Sequence, residues 1–206
     1  MGLMMGMVRV RTSRVWNGLL TAFGAALSLV AALMLSLEAY WRALQPEKMF
    51  SCDIDEKLSC STVADSWQSQ VIQLPDGPVP NAFLGIAAFT VILVLGVVYA
   101  CRFRAPAWFN WCFRVGVTLA LAASTWLLVQ SVFVIKAMCP WCLTMDVGMM
   151  VSTIGMLRLW ATEPVLDDGH GTLNRFFKFT AGMESLLVEV LILLAFGLGV
   201  FLYWAF

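Results

Sequence analysis

The chain has 206 residues, 61% of them hydrophobic and only 13% charged, with acidic and basic side chains in equal number. Soluble domains are about 45–50% apolar, so this composition excludes one ordinary water-soluble core and fits several bilayer-spanning helices. A net charge of zero lacks the basic footprint of a nucleic-acid binder, so no nucleic-acid partner is expected, and six cysteines are too few for a disulfide scaffold.

A bilayer core about 30 Å thick needs about 20 apolar helical residues. Five stretches meet that length: 15–37, 82–101, 115–135, 141–160 and 186–203. The first follows the basic residues Arg9, Arg11 and Arg14, but its apolar run is too long for the 7–15-residue core of a cleaved signal peptide, so it is expected to stay as a helix. The second follows the turn-rich Pro75-Asp76-Gly77-Pro78-Val79-Pro80, and Pro80 suits a helix start, where its missing N–H is not needed. The expected organisation is an N-terminal tail (1–14), a helical bundle (15–160) with a long loop at 41–80, a second loop (161–183) and a fifth span (184–206).

Five spans put the N-terminus and the second and fourth connections on one side. That side carries Arg9, Arg11, Arg14, Arg102, Arg104, Arg114, Arg158, Arg175 and Lys178; the other carries only Arg42, Lys48, Lys57 and Lys136. Excess Lys and Arg mark the cytoplasmic side. The N-terminus is therefore expected inside, in a cell (cytoplasmic) membrane, with the 41–80 loop outside. Cys52, Cys60, Cys139 and Cys142 then share the outer side, where disulfides persist. Cys101 and Cys112 lie at the cytoplasmic end and read as small hydrophobes.

Cys139-Pro140-Trp141-Cys142 begins the fourth span. Residues i and i+3 share a helix face, so the two sulfurs can meet. A helix N-terminus supplies unsatisfied N–H groups and partial positive charge, which favour the reactive thiolate. Lys136 is placed to add positive charge nearby. The bland alternatives are two inert cysteines, or a structural zinc site shared with Cys52 and Cys60, although the seven-residue gap between those two is not a usual zinc knuckle. The loop reading Ser51-Cys52-Asp53-Ile54-Asp55-Glu56-Lys57-Leu58-Ser59-Cys60 is polar and acidic, so it is expected to be water-exposed. Its cysteines form either a static disulfide or a pair that exchanges electrons with Cys139 and Cys142. The sequence lacks a dinucleotide fingerprint, a haem Cys-x-x-Cys-His and a P-loop, which leaves a lipid-soluble two-electron acceptor, a quinone, as the fitting class.

Taken in order, Cys52-Asp53, Cys60-Ser61-x-Val63, Ser66, Pro80-Asn81-Ala82-Phe83-Leu84-Gly85 and Cys139-x-x-Cys142 resemble the vitamin K epoxide reductase (VKOR) family over about residues 15–160. The resemblance implies an all-α integral membrane fold, a four-helix bundle around a quinone, to which this chain adds a fifth transmembrane helix. It implies that Cys142 reacts with the quinone (menaquinone or ubiquinone), that Cys139 exchanges with Cys60, and that Cys52 meets the protein partner. Asn81 would hold a quinone carbonyl, with Phe83 and Ser66 beside it, and no metal takes part. The implied partner is an exported DsbA-type, thioredoxin-like oxidase, expected as a separate protein because the chain ends at Phe206. Animal members carry a Tyr where this chain has Asp146, which favours quinone reduction over epoxide reduction. Asp146 lies one turn beyond Cys142, and an ionisable group inside a span is a functional candidate, here as a proton donor. The same residues could run in reverse, could reduce an epoxide at the expense of thiols, or could belong to a metal-binding scaffold. An unrelated DsbB-like oxidoreductase would place its Cys-x-x-Cys in the first outer loop instead.

Overall fold

The computed structural model describes residues 2–162, apart from residues 46, 48, 56, 75, 76 and 104. The expected fifth span, the preceding loop with His170, Arg175 and Lys178, and Glu184 and Glu189 lie outside the described residues.

Among the described residues, four helices are long and apolar enough to cross a membrane. They belong to α1 (Gly2–Leu44), α3 (Asn81–Ala100), α4 (Ala107–Gln130, continued by a wider turn over Ser131–Ile135) and α5 (Pro140–Thr162). α1 starts well before residue 15 and runs past residue 37, so part of the expected 41–80 loop is helix. The rest of that loop holds a short helix, α2 (Cys60–Ala64), a tight turn at Trp67–Ser69, and a two-stranded antiparallel hairpin of β1 (Gln70–Leu74) and β2 (Gly77–Pro80). The hairpin leads directly into α3, with Pro80 just before its first residue as expected.

α1 is the central element and packs along both α3 and α5, while α4 meets the others mainly through α5. Where helices share lipid, small residues and polar side chains carry the packing. The α1–α5 seam follows that rule. Gly148 has no room for a Cβ, which would sit 2.6 Å from the carbonyl oxygen of Gly24 on α1. Ser28 Oγ donates to the Met145 carbonyl (2.8 Å), and Ser152 Oγ donates to the Thr21 carbonyl (3.0 Å). Met149, Met156 and Leu159 are buried in the same core. The seam fixes α5 against α1, and with it the height of Cys139 relative to the C-terminal end of α1.

Candidate redox site

At the end of the bundle that carries the loop between α1 and α3, Phe50, Cys52, Cys60 and Cys139 form one buried cluster, covered by Leu35, Ala39, Val63, Ala64, Trp141 and Cys142. Cys52 and Cys60 are joined by a disulfide, and Cys139 and Cys142 are free thiols. Cys139 Sγ lies 2.9 Å from Cys60 Sγ, although 79 residues separate them in sequence. The fold therefore brings the loop pair onto the helix pair.

Three local devices produce that approach. The first is a short parallel bridge between Leu58 and Met138. Its backbone bonds run from Ser59 N–H to the Met138 carbonyl (3.0 Å) and from Met138 N–H to the Lys57 carbonyl (2.8 Å). The second is the Asp53 carboxylate, which accepts from Ser61 N–H (2.9 Å), Ser59 Oγ (2.9 Å) and Phe50 N–H (3.2 Å), and so ties both flanks of the disulfide to one anion. Burial works to raise the Asp53 pKa, but these hydrogen bonds outweigh it and hold the carboxyl below its ordinary value. The third is Lys136, which adopts a left-handed backbone (φ 55°) and turns the chain sharply between α4 and α5. Ser131 Oγ donates to the Ala137 carbonyl and braces that turn.

Cys139 caps the N-terminus of α5. Its sulfur accepts the Cys142 N–H (3.3 Å), three residues on, as a Ser or Asp side chain would in the same place. Pro140 is the first helical residue, as the sequence led one to expect. The Cys139 thiol is held below its ordinary pKa, chiefly by a hydrogen bond with the Cys142 side chain and further by the backbone N–H groups of Cys142 and Trp141, against the opposing effect of burial. The carboxylate of Glu38 acts on Cys139 from α1, and its repulsion raises the thiol pKa; Lys136 is exposed. Sequence reasoning missed Glu38. It is the sole acidic residue of the 43-residue α1, and that isolation was the available signal. Glu38 Oε2 lies 3.4 Å from Cys52 Sγ, while Oε1 accepts from Ser51 N–H (3.2 Å) and from the Ser51 hydroxyl.

The expectation of a water-exposed loop pair needs correction. Ser51, Asp55 and Lys57 face water, but Cys52 is 7% exposed and Cys60 0%, because the loop folds its sulfurs inward against Phe50 and α1. The other sequence candidates are placed as follows. Asn81 Nδ2 donates to the Gln68 carbonyl (2.7 Å), joining the start of α3 to the turn before the hairpin. Ser66 Oγ donates to the Val63 carbonyl (2.6 Å) within that turn. Phe83 is 46% exposed on α3. Asp146, half-buried on α5, accepts a hydrogen bond from Ser124 on α4. Cys101 and Cys112 are exposed. Three sulfurs, those of Cys52, Cys60 and Cys139, lie within 4.8 Å of one another; two of them are spent in the disulfide and present no thiolate to a metal in this state.

Two cysteine pairs meeting at the end of a membrane bundle are the mark of thiol exchange carried out at a membrane surface. Residues 19–157 match the model of the Vitamin K epoxide reductase family. The chain belongs to that family. VKOR-family proteins are membrane-bound oxidoreductases of thiols and disulfides, are associated with quinones, and generally work with thioredoxin-like partners. The four apolar helices fit such a membrane protein. A search of curated proteins finds no match.

Proposed function

We propose that this VKOR-family protein takes electrons from an exported DsbA-type, thioredoxin-like partner and passes them through its two cysteine pairs to a membrane quinone. The observation that carries this reading is the 2.9 Å approach of Cys139 Sγ to Cys60 Sγ. A partner thiolate attacks Cys52, the Cys52–Cys60 bond breaks, and Cys60 leaves as a thiolate. The second partner thiol then displaces Cys52, and the partner departs as a disulfide. Cys60 attacks Cys139 of an oxidised Cys139–Cys142 pair, which frees Cys142. Cys52 resolves the Cys60–Cys139 bond, restores the loop disulfide and leaves Cys139 and Cys142 reduced, the state described above.

The quinone is a substrate, and it accepts the electron pair at Cys142 together with two protons. Trp141, next to Cys142, supports this placement. Its indole N–H is buried without an acceptor among the described residues, and a quinone carbonyl supplies one. Asn81, Ser66 and Phe83 complete the proposed quinone surroundings, and Asp146 delivers protons from the α4 side. The reading includes the domain organisation given above, a cytoplasmic N-terminus and cysteines on the outer face of the cell membrane.

Purified protein mixed with a reduced DsbA-type partner and a quinone tests this reading. It expects loss of quinone absorbance that depends on each of Cys52, Cys60, Cys139 and Cys142. Absence of turnover with both menaquinone and ubiquinone would reject the quinone as acceptor.

A further inference from the structure

Glu38 touches the sulfur that meets the partner, yet nothing in the relay so far uses it. We propose that the Glu38 carboxylate is the base that takes the proton from Cys52 when Cys52 re-forms the loop disulfide. The proposal rests on the relay above for the order of exchange. In the disulfide state Cys52 carries no proton, and its 3.4 Å distance from Glu38 Oε2 is a bare contact. Once the disulfide is reduced, the same distance suits a thiol S–H donating to the carboxylate. Ser51 donates its N–H and hydroxyl to the other oxygen, which ties the loop to α1 and leaves Oε2 facing Cys52.

The step balances. The Cys52 sulfur attacks Cys60 of the Cys60–Cys139 mixed disulfide, its proton passes to Glu38, and the Cys52–Cys60 bond forms. The Cys60–Cys139 bond breaks, and Cys139 leaves with the electron pair as a thiolate. Cys52 is oxidised and Cys139 is reduced. A protonated Glu38 no longer repels the Cys139 thiolate, so the leaving group departs beside a neutral acid. The other charged groups nearby are engaged elsewhere. Arg42, one turn along α1, pairs with Asp65 (2.8 Å) and stacks over the Phe50 ring, and Asp53 is held by its three donors. Cys142 faces Cys139 from α5 and bonds to it rather than to Cys52.

The test uses no quinone, so it stands or falls apart from the acceptor. Full-length protein carrying Cys101→Ser, Cys112→Ser, Cys139→Ser and Cys142→Ser is reduced and capped with a thiopyridyl group, and peptide mapping of acid-quenched time points reports chains capped on Cys60 apart from those capped on Cys52. Closure of the Cys60-capped form, in which Cys52 attacks, is followed by release of thiopyridone between pH 6 and pH 8. An internal base passes the proton without exchange with water, so closure is expected to change by less than about threefold. Without it the rate follows the thiolate fraction and climbs about tenfold per pH unit below the thiol pKa of about 8.5. Glu38→Gln is therefore expected to gain about 100-fold across this range, from about 100-fold below the parent at pH 6 to no more than the parent rate at pH 8. Ser51→Ala, which loosens the loop but leaves the carboxylate, is expected to keep the flat profile, as is closure in Glu38→Asp, at a lower rate. A steep profile in the parent overturns the proposal without any variant at Glu38. So does a Glu38→Gln profile parallel to the parent, and so does a steep Ser51→Ala profile, which would assign the effect to anchoring of the loop.

Discussion

Asp53 holds the loop disulfide in place, and its removal has a size that can be worked from the structure. Asp53→Ala deletes the acceptor for Ser61 N–H, Ser59 Oγ and Phe50 N–H at once. Hydrogen bonds of this kind contribute about 1 kcal/mol each, and partial exposure argues against using the higher value for charged acceptors. Docking of the loop should weaken by about 3 kcal/mol at most, about 150-fold in the docked-to-undocked ratio. The two backbone bonds between Lys57–Ser59 and Met138 survive and favour a smaller loss, of about tenfold or more. Cys139 is 1% exposed under the docked loop, so its alkylation, scaled to the rate in unfolded protein at the same pH, should rise about 10- to 150-fold. A change of less than twofold would refute the claim that Asp53 latches the loop onto Cys139. The pH dependence has a fixed sign. A carboxyl whose folded pKa is depressed contributes stability that is fully present above its unfolded value of about 3.9 and is lost as pH falls through the folded value. Hydrogen-exchange protection of Ser61 N–H should therefore hold from pH 8 to pH 5 and fail only at strongly acid pH.

Other outcomes follow from the same geometry. Gly148→Ala should destabilise the protein by about 1–3 kcal/mol, because the new methyl meets α1 backbone; Gly116→Ala, where nothing lies within 4 Å, should leave the detergent melting temperature unchanged or raise it. Lys136→Gly should keep or slightly raise stability, since a left-handed residue suits glycine, whereas Lys136→Val should lower both stability and the rate of Cys60–Cys139 exchange. Asp146→Asn should slow quinone reduction and change its pH profile while leaving Cys60–Cys139 exchange intact; an unchanged profile would remove Asp146 from proton delivery.

Much of the site was legible because it is written in local spacing. Apolar length marked the four described spans, and Pro140 between Cys139 and Trp141 marked the start of a helix whose first amides face a sulfur. The residues that join distant segments were not legible in this way. Glu38 meets Cys52 only because α1 continues beyond the apolar run and the loop folds back on it. The Leu58–Met138 bridge joins segments whose pairing no local pattern encodes. Composition also misled for the loop itself: acidic side chains described its outer surface, while Phe50 and α1 covered the sulfurs that the same residues flank. The charge of Lys136 was legible, but the sharp backbone turn it makes to set α5 beneath the loop was not.

The central claim is that electrons cross between the pairs at Cys60 and Cys139. The most direct measurement is peptide mapping under non-reducing conditions of the Cys52→Ser protein after mild oxidation. With Cys52 gone, Cys60 faces Cys139 alone at 2.9 Å, and a Cys60–Cys139 disulfide should be the main product. Cys60 joined to Cys142 instead, or recovered as a free thiol while Cys139 and Cys142 are not joined to each other, would contradict the relay.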